Sequence, residues 1–161
     1  QPTPLELQKT DLREVLEKAV ARARQSLDPE SGVSIHLYCE QAYPVRADPQ
    51  LLRQALANVL DNAIKAVGAR GNVTVEAVAQ SERIEVSIID QGTGIEKSDL
   101  DRIFDPFFTR TTGGTGLGLC AAKKVFDLHH AEVRVESEPG KGTTVRVSLP
   151  AWPARQPAAS V

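Results

Sequence analysis

Cysteine is nearly absent from this chain: two residues, Cys39 and Cys120, in 161. They stand far apart and in no metal-ligand spacing. That excludes a disulfide framework or a zinc ribbon and predicts two reduced, buried thiols. No apolar run is long enough to span a bilayer, and no signal peptide opens the sequence. The expectation is a cytoplasmic domain, which leaves room for a membrane anchor on a longer parent protein. A net charge of −2 offers nothing for a nucleic-acid or membrane-surface partner. Aromatic residues make up only 4%, so any cluster of them stands out. There is no internal repeat. What remains, at 41% hydrophobic and 25% charged, is an ordinary globular composition of a length suited to one domain.

Residues 1–10 carry two prolines and no periodicity, and predict a linker. From Asp11 onward Leu12, Val15, Leu16, Ala19, Val20 and Ala23 recur at helical spacing, until Asp28, Pro29 and Gly32 break the pattern. Val33, Ile35 and Leu37 alternate with polar residues as a short strand. Asp48-Pro49 is an N-cap followed by proline at the first helical position, opening a helix that runs to Val67 and stops at Gly68. Residues 73–78 and 84–89 read as a hairpin through Gln80, Ser81 and Glu82. A short helix is expected near 97–103 and a longer one over 117–128. Strands around Val133 and Val135, and around Val145, Val147 and Leu149, flank a Pro139-Gly140-Lys141-Gly142 turn. The tail from Ala151 predicts disorder. Residues 11–150 thus form the domain. The order of elements indicates α+β, a two-layer α/β sandwich with a mixed, mostly antiparallel sheet covered on one face by three helices.

The helix after Pro49 carries the first chemical signal. At about 100° per residue, Leu52, Leu56, Val59, Leu60, Ala63, Ile64 and Val67 fall in one arc. Asn58, Asp61, Asn62 and Lys65 fall in the opposite one. A merely solvated face favours Glu, Lys, Gln or Arg over asparagine. Two asparagines one turn apart, with a lysine beyond, make sense if the side chains have work. A neutral amide oxygen suits Mg²⁺, which takes its remaining ligands from water and phosphate. A lysine on the same stripe suits phosphate as a point charge.

Two glycine-rich segments follow. Asp90-Gln91-Gly92-Thr93-Gly94-Ile95 ends a strand, and its glycines let the backbone turn sharply and let a flat ligand approach. Asp90 there is placed to accept a hydrogen bond from an exocyclic amine; in isolation the segment also reads as a plain turn. Gly113-Gly114-Thr115-Gly116-Leu117-Gly118-Leu119 runs into a helix, an arrangement suited to phosphate. Gly116, Gly118 and Ala121 fit a dinucleotide fingerprint only weakly, because no strand precedes them. Gly140-Lys141-Gly142 lacks the following Ser or Thr of a phosphate-binding P-loop and reads as a hairpin turn. Between the two segments, Phe104, Phe107 and Phe108 are three of the chain's four phenylalanines. They read as core or as a hydrophobic hinge under a polar loop that carries Arg110.

In order and spacing these motifs resemble those of sensor histidine kinases. Asn58-x-x-x-Asn62-x-x-Lys65 matches the N box, Asp90-x-Gly92-x-Gly94 the first glycine box, Phe104-x-Pro106-Phe107-Phe108 the F box, and Gly114-Thr115-Gly116-Leu117-Gly118-Leu119 the second glycine box. Residues 136–143 close the series. The resemblance implies the Bergerat ATP-binding fold, with a short lid similar to that of nitrogen-regulatory and oxygen-sensing kinases. It implies ATP and Mg²⁺ as cofactors, with Asn62 on the metal and Asn58 and Lys65 on phosphate or its water shell. It implies Asp90 on the adenine amine, with Gly92, Thr93, Gly94, Ile95 and Phe104 about the base. Gly114, Thr115, Gly116, Leu117, Gly118 and Leu119 would close over the phosphates, and Arg110 would reach the γ-phosphate. The implied partners are a dimerisation and histidine-phosphotransfer domain of the same homodimeric parent and a response regulator receiver domain; the isolated domain is expected to be monomeric.

The departures sharpen the reading. None of His36, His129 or His130 stands in the H-E-x-x-x-P-like context of the phospho-accepting histidine. His129 and His130 occupy a place where relatives usually have His-Gly-Gly, and read as structural turn residues. Gyrase-type and mismatch-repair-type ATPases carry a glutamate where this chain has Asn58, and an amide cannot activate water. A degenerate, non-catalytic nucleotide-binding module would have lost key asparagines or glycines, and none is lost.

Overall fold

The computed structural model describes residues 4–108 and 117–152. In chain order the elements are β1 (Gln8–Asp11), α1 (Leu12–Ser26), β2 (Gly32–Tyr38), β3 (Pro44–Ala47), α2 (Pro49–Val67), β4 (Arg70–Gln80), β5 (Arg83–Asp90), α3 (Gly118–Leu128), β6 (Glu132–Glu138) and β7 (Gly142–Pro150). The main sheet has the strand order β2-β4-β5-β7-β6. Only β2 and β4 run parallel; β4–β5, β5–β7 and β7–β6 are antiparallel. The expected two-layer sandwich is present, with three helices among the described residues lying over one face of the sheet.

Strand alternation sets that face. Val73, Val75 and Ala77 of β4, Ile84, Val86 and Ile88 of β5, and Val147 and Leu149 of β7 are buried against the helices. From the helices come Leu12, Leu16 and Val20 of α1, Leu52, Leu56, Val59 and Leu60 of α2, and Ala122 and Phe126 of α3. Burying one such side chain is worth about 1.5–3 kcal/mol. The asparagines of α2 cost under about 0.7 kcal/mol each in helix propensity. The apolar stripe therefore decides both that α2 forms and which way it faces. Its start is as the sequence predicts: the Asp48 side chain accepts the Leu51 N–H at 3.1 Å, and Pro49 takes the first helical position. Its end is Gly68, at φ 79°.

Several elements differ from the sequence reading. Residues 8–10 are not irregular: β1 pairs antiparallel with β3, from Gln8↔Ala47 to Asp11↔Pro44. Both strands are four residues long and rest on a pairing remote in sequence, which local periodicity does not reveal. The helix expected near 97–103 shrinks to one 3-10 turn, Leu100–Arg102, whose preceding Asp99 makes no side-chain cap. The β4–β5 hairpin is tighter than expected, with Gln80 paired to Arg83 and Ser81 at φ 56°. At the C-terminus, Ala151 bridges Val45, and the Trp152 amide donates to the Pro44 carbonyl at 2.8 Å. The tail is thus tied down through Trp152, and residues 153–161 lie outside the described part. Cys39 and Cys120 are free thiols, but half-buried rather than buried.

The two adjacent histidines take opposite structural roles. His129 is 3% exposed. Its Nδ1 lies 2.7 Å from the Val125 carbonyl oxygen, and its Nε2 lies 3.0 Å from the Asp48 amide nitrogen. A carbonyl only accepts and an amide N–H only donates. The imidazole is therefore neutral with its proton on Nδ1, and it ties the end of α3 to the cap of α2. His130 is exposed and sits in the left-handed region at φ 56°, where a side chain costs about 1–2 kcal/mol. His130→Gly should therefore raise the free energy of urea unfolding, by about 1 kcal/mol after glycine's own entropy cost. A loss of stability in that variant would mean the exposed imidazole makes a contact that outweighs the backbone strain.

Candidate functional site

With its apolar stripe held on the sheet, α2 turns its other arc toward a cavity of about 420 Å³. That volume lies within the range of small-molecule sites, about 300–1,000 Å³. Asn58, Asp61, Asn62 and Lys65 line one wall. The expected polar arc is therefore not simply a solvated face. Asn58 is also anchored: its Nδ2 donates to the Gly118 carbonyl at 3.1 Å, linking α2 to the first residue of α3. Lys65 Nζ lies 3.0 Å from Asp61 Oδ2, both side chains being more than half exposed. Such an exposed pair is worth well under about 1 kcal/mol, so Lys65 stays available to an anion.

The floor is the end of the sheet. Rows of residues run across β5, β7 and β6 on the helix-facing side, and all but one are apolar: Val86↔Val147↔Val133, then Ile88↔Val145↔Val135. The last row is Asp90↔Thr143↔Ser137. Asp90 is only 6% exposed. Its carboxylate accepts the Gly92 amide at 2.8 Å and also the Thr143 amide. Burial pushes its pKa above the ordinary 3.8, and those two amides only partly oppose the shift. A buried acceptor facing a cavity is equipped to take a donor from a ligand.

The first glycine segment turns sharply at Gly94, as expected, and its glycines also meet neighbouring backbone. A Cβ on Gly92 would stand 2.5 Å from the carbonyl oxygen of Ala66, at the end of α2. Gly94, at φ 75°, has no room because its Cβ would collide with the Glu138 carbonyl. The missing side chains thus let protein backbones meet. The Thr93 amide reaches Ala66 O at 3.3 Å, and the Gly140 amide reaches Thr93 O at 2.8 Å. The loop is clamped between α2 and the β6–β7 hairpin, which brings Thr93, Gly94 and Ile95 to the cavity.

The phenylalanines divide. Phe104 and Phe108 line the cavity with Ile103. Phe107 is 74% exposed at φ 66°. The Arg102 guanidinium covers the Phe108 ring at 4.8 Å. Gly118 and Leu119 also reach the cavity, whereas Leu117 and Gly92 are not among its lining residues. Arg110, Gly114, Thr115 and Gly116 lie outside the described residues.

Residues 47–153 match the model of a family described as histidine kinase-, DNA gyrase B- and HSP90-like ATPases. The chain belongs to that family. Its relatives are sensor histidine kinases. The signal transduction histidine-protein kinase AtoS of Escherichia coli is 42% identical over 111 residues, 68% of this chain and 18% of that protein. The sensor histidine kinase ZraS of the same organism is 34% identical over 150 residues, 92% of this chain and 32% of that one. The chain thus spans under half the length of these relatives. Among solved structures, the mycobacterial sensor histidine kinase MprB superposes with a TM-score of 0.81 at 29% identity, over 91% of this chain and 98% of that one. Full-length ShkA, solved in complex with AMPPNP, superposes at 0.79 with 28% identity, over 94% of this chain and 32% of that one. The fold is the α/β sandwich of histidine kinase catalytic domains.

In this kinase-type domain Asp61, Phe108 and Thr143 line the cavity although their motifs carried no ligand role for them, and Val59, Ala63, Ala66, Ile88, Ile103 and Val145 were in no motif at all. Ile88, Thr143 and Val145 were findable in principle, because they share the inward parity of Asp90 once the strand register is known.

Asp90 generates a pH-dependent prediction. Its pKa is raised in the folded state, so its contribution to stability is fully present below the ordinary carboxylate pKa of 3.8 and is lost as pH rises through the folded value. At pH 7 and without ligand, Asp90→Asn should therefore unfold at higher urea than the wild type. The advantage should shrink as pH falls into the carboxylate range. A wild type that stays more stable at every pH would show that the amide contacts outweigh burial.

Proposed function

We propose that this domain binds Mg-ATP in the cavity and transfers the γ-phosphoryl group to a histidine on the dimerisation domain of its parent protein, for relay to a response regulator. One observation carries the reading: the buried Asp90 at the sheet end faces the same cavity as the amide-and-lysine wall of α2. A carboxylate floor suits the exocyclic amine of adenine, and the wall suits phosphates.

The donor set fits magnesium held largely by its nucleotide. Among the described residues there is no group of three His, Cys, Asp or Glu side chains able to hold a metal ion. Magnesium keeps several waters and commonly takes one or two protein oxygens beside phosphate. Asn62, on the cavity wall, would supply that oxygen. The bound ion would neutralise charge on the phosphates. The remaining work is positioning. Asn58, fixed by Gly118, and Lys65 orient the phosphates toward the open side. In transfer the bond from the γ-phosphorus to its bridging oxygen breaks, and a bond to an imidazole nitrogen forms. Imidazole is itself a nucleophile, so the domain needs no general base. Asn58 supports transfer over hydrolysis, because an amide cannot take a proton from water.

The test is calorimetric titration with ATP and adenosine, with and without Mg²⁺. Asn62→Ala should weaken Mg-ATP at least about tenfold, the equivalent of one contact worth about 1.4 kcal/mol, and leave adenosine unchanged. Equal weakening of both ligands, or no Mg²⁺ dependence in the wild type, would contradict the assignment.

A further inference from the structure

Ser137 lies at the far end of the polar row, and its hydroxyl is saturated. Its Oγ accepts the Ile95 amide at 2.8 Å, from the loop that borders the cavity. The same oxygen donates to the Gly142 carbonyl at 2.9 Å. It also lies 2.7 Å from Thr143 Oγ1. A serine hydroxyl has one proton. The Gly142 carbonyl can only accept, so that proton is spent there. The hydrogen bond between the two hydroxyls must then run from Thr143 to Ser137.

The consequence lies one residue along the row. Thr143 lines the cavity beside Asp90. With its only hydroxyl proton committed to Ser137, Thr143 offers the cavity lone pairs and no donor. Asp90 already offers only lone pairs. We propose that Ser137 is a positioning residue for base selection, holding Thr143 as a pure acceptor so that the cavity takes 6-aminopurine nucleotides and rejects 6-oxopurines. This rests on the nucleotide reading of the cavity given above. A 6-amino group brings protons to a floor of acceptors. A 6-oxo group brings further lone pairs, which two buried acceptors leave unpaired. A site built from hydrogen-bonding groups discriminates strongly when the wrong ligand leaves those groups unsatisfied. Released from Ser137, the Thr143 hydroxyl turns and donates to a 6-oxo oxygen, and the discrimination falls.

The experiment is competition binding of ATP and GTP with Mg²⁺ by the wild-type domain, Ser137→Ala and Ser137→Thr, with folding checked by urea denaturation. Ser137→Ala should lower the ATP-to-GTP affinity ratio about tenfold, and Ser137→Thr, which keeps the hydroxyl, should restore it. A merely structural serine moves both affinities by the same factor, and that result overturns the assignment. Should Ser137→Ala unfold, Thr143→Val removes the same acceptor with Ser137 in place. An unchanged ratio in that variant also overturns it. A wild type that binds neither nucleotide overturns the ATP reading and this assignment with it. Binding with an unaltered ratio in the variants overturns this assignment alone.

Discussion

The packing of α2 against the sheet is the constraint on which the rest depends. Leu52, Leu56, Val59 and Leu60 are at most 2% exposed, and at about 1.5–3 kcal/mol each they fix the rotation of the helix about its axis. A shift of one residue would turn the helix by about 100° and drive an asparagine into the core. The wall of the cavity is therefore set by residues that never touch it. The ends of α2 are held with the same economy. Asp48 caps the first turn, and the buried His129 accepts the Asp48 amide, so that α3 is joined to the start of α2. At the other end Gly92 lets the glycine loop lie on the Ala66 carbonyl.

Against that apolar scaffold the row Asp90–Thr143–Ser137 is a local concession. Every other row across β5 and β7 on this face is built from Val, Ile and Leu. A carboxylate in the last row costs burial energy, as its raised pKa records. Its neighbours recover part of that cost through the Gly92 and Thr143 amides. A sheet selected for stability alone has no use for a polar row at its end. A sheet that must present acceptors to a ligand does.

The sequence exposed the parts of this arrangement that are local. The period of α2 separates its two faces without knowledge of the fold. Asp48-Pro49 and Gly68 mark its ends by backbone chemistry. The alternation in residues 73–78, 84–89 and 145–149 gives strands and their inward sides. What escaped depends on pairings remote in sequence. Neither β1 nor β3 exceeds four residues, and each exists because the other does. The glycine loop showed that glycine was needed, but not that Ala66 and Glu138 were what required it. Thr143 and Ser137 stood in the stretch that closes the motif series, with no role of their own, until register placed them level with Asp90. His129 looked like a turn residue, because nothing local says that its ring reaches the cap of a helix 81 residues away.

On the proposed reading, a domain with this cavity and an amide at Asn58 in place of an acid hands its phosphate to another body. The most direct measurement mixes the domain with Mg-ATP and a separate helical-hairpin fragment carrying the parent protein's acceptor histidine. The account predicts an acid-labile, alkali-stable phosphate on that fragment, and none on the domain alone. Steady release of inorganic phosphate by the domain alone, with no label reaching the fragment, would contradict it.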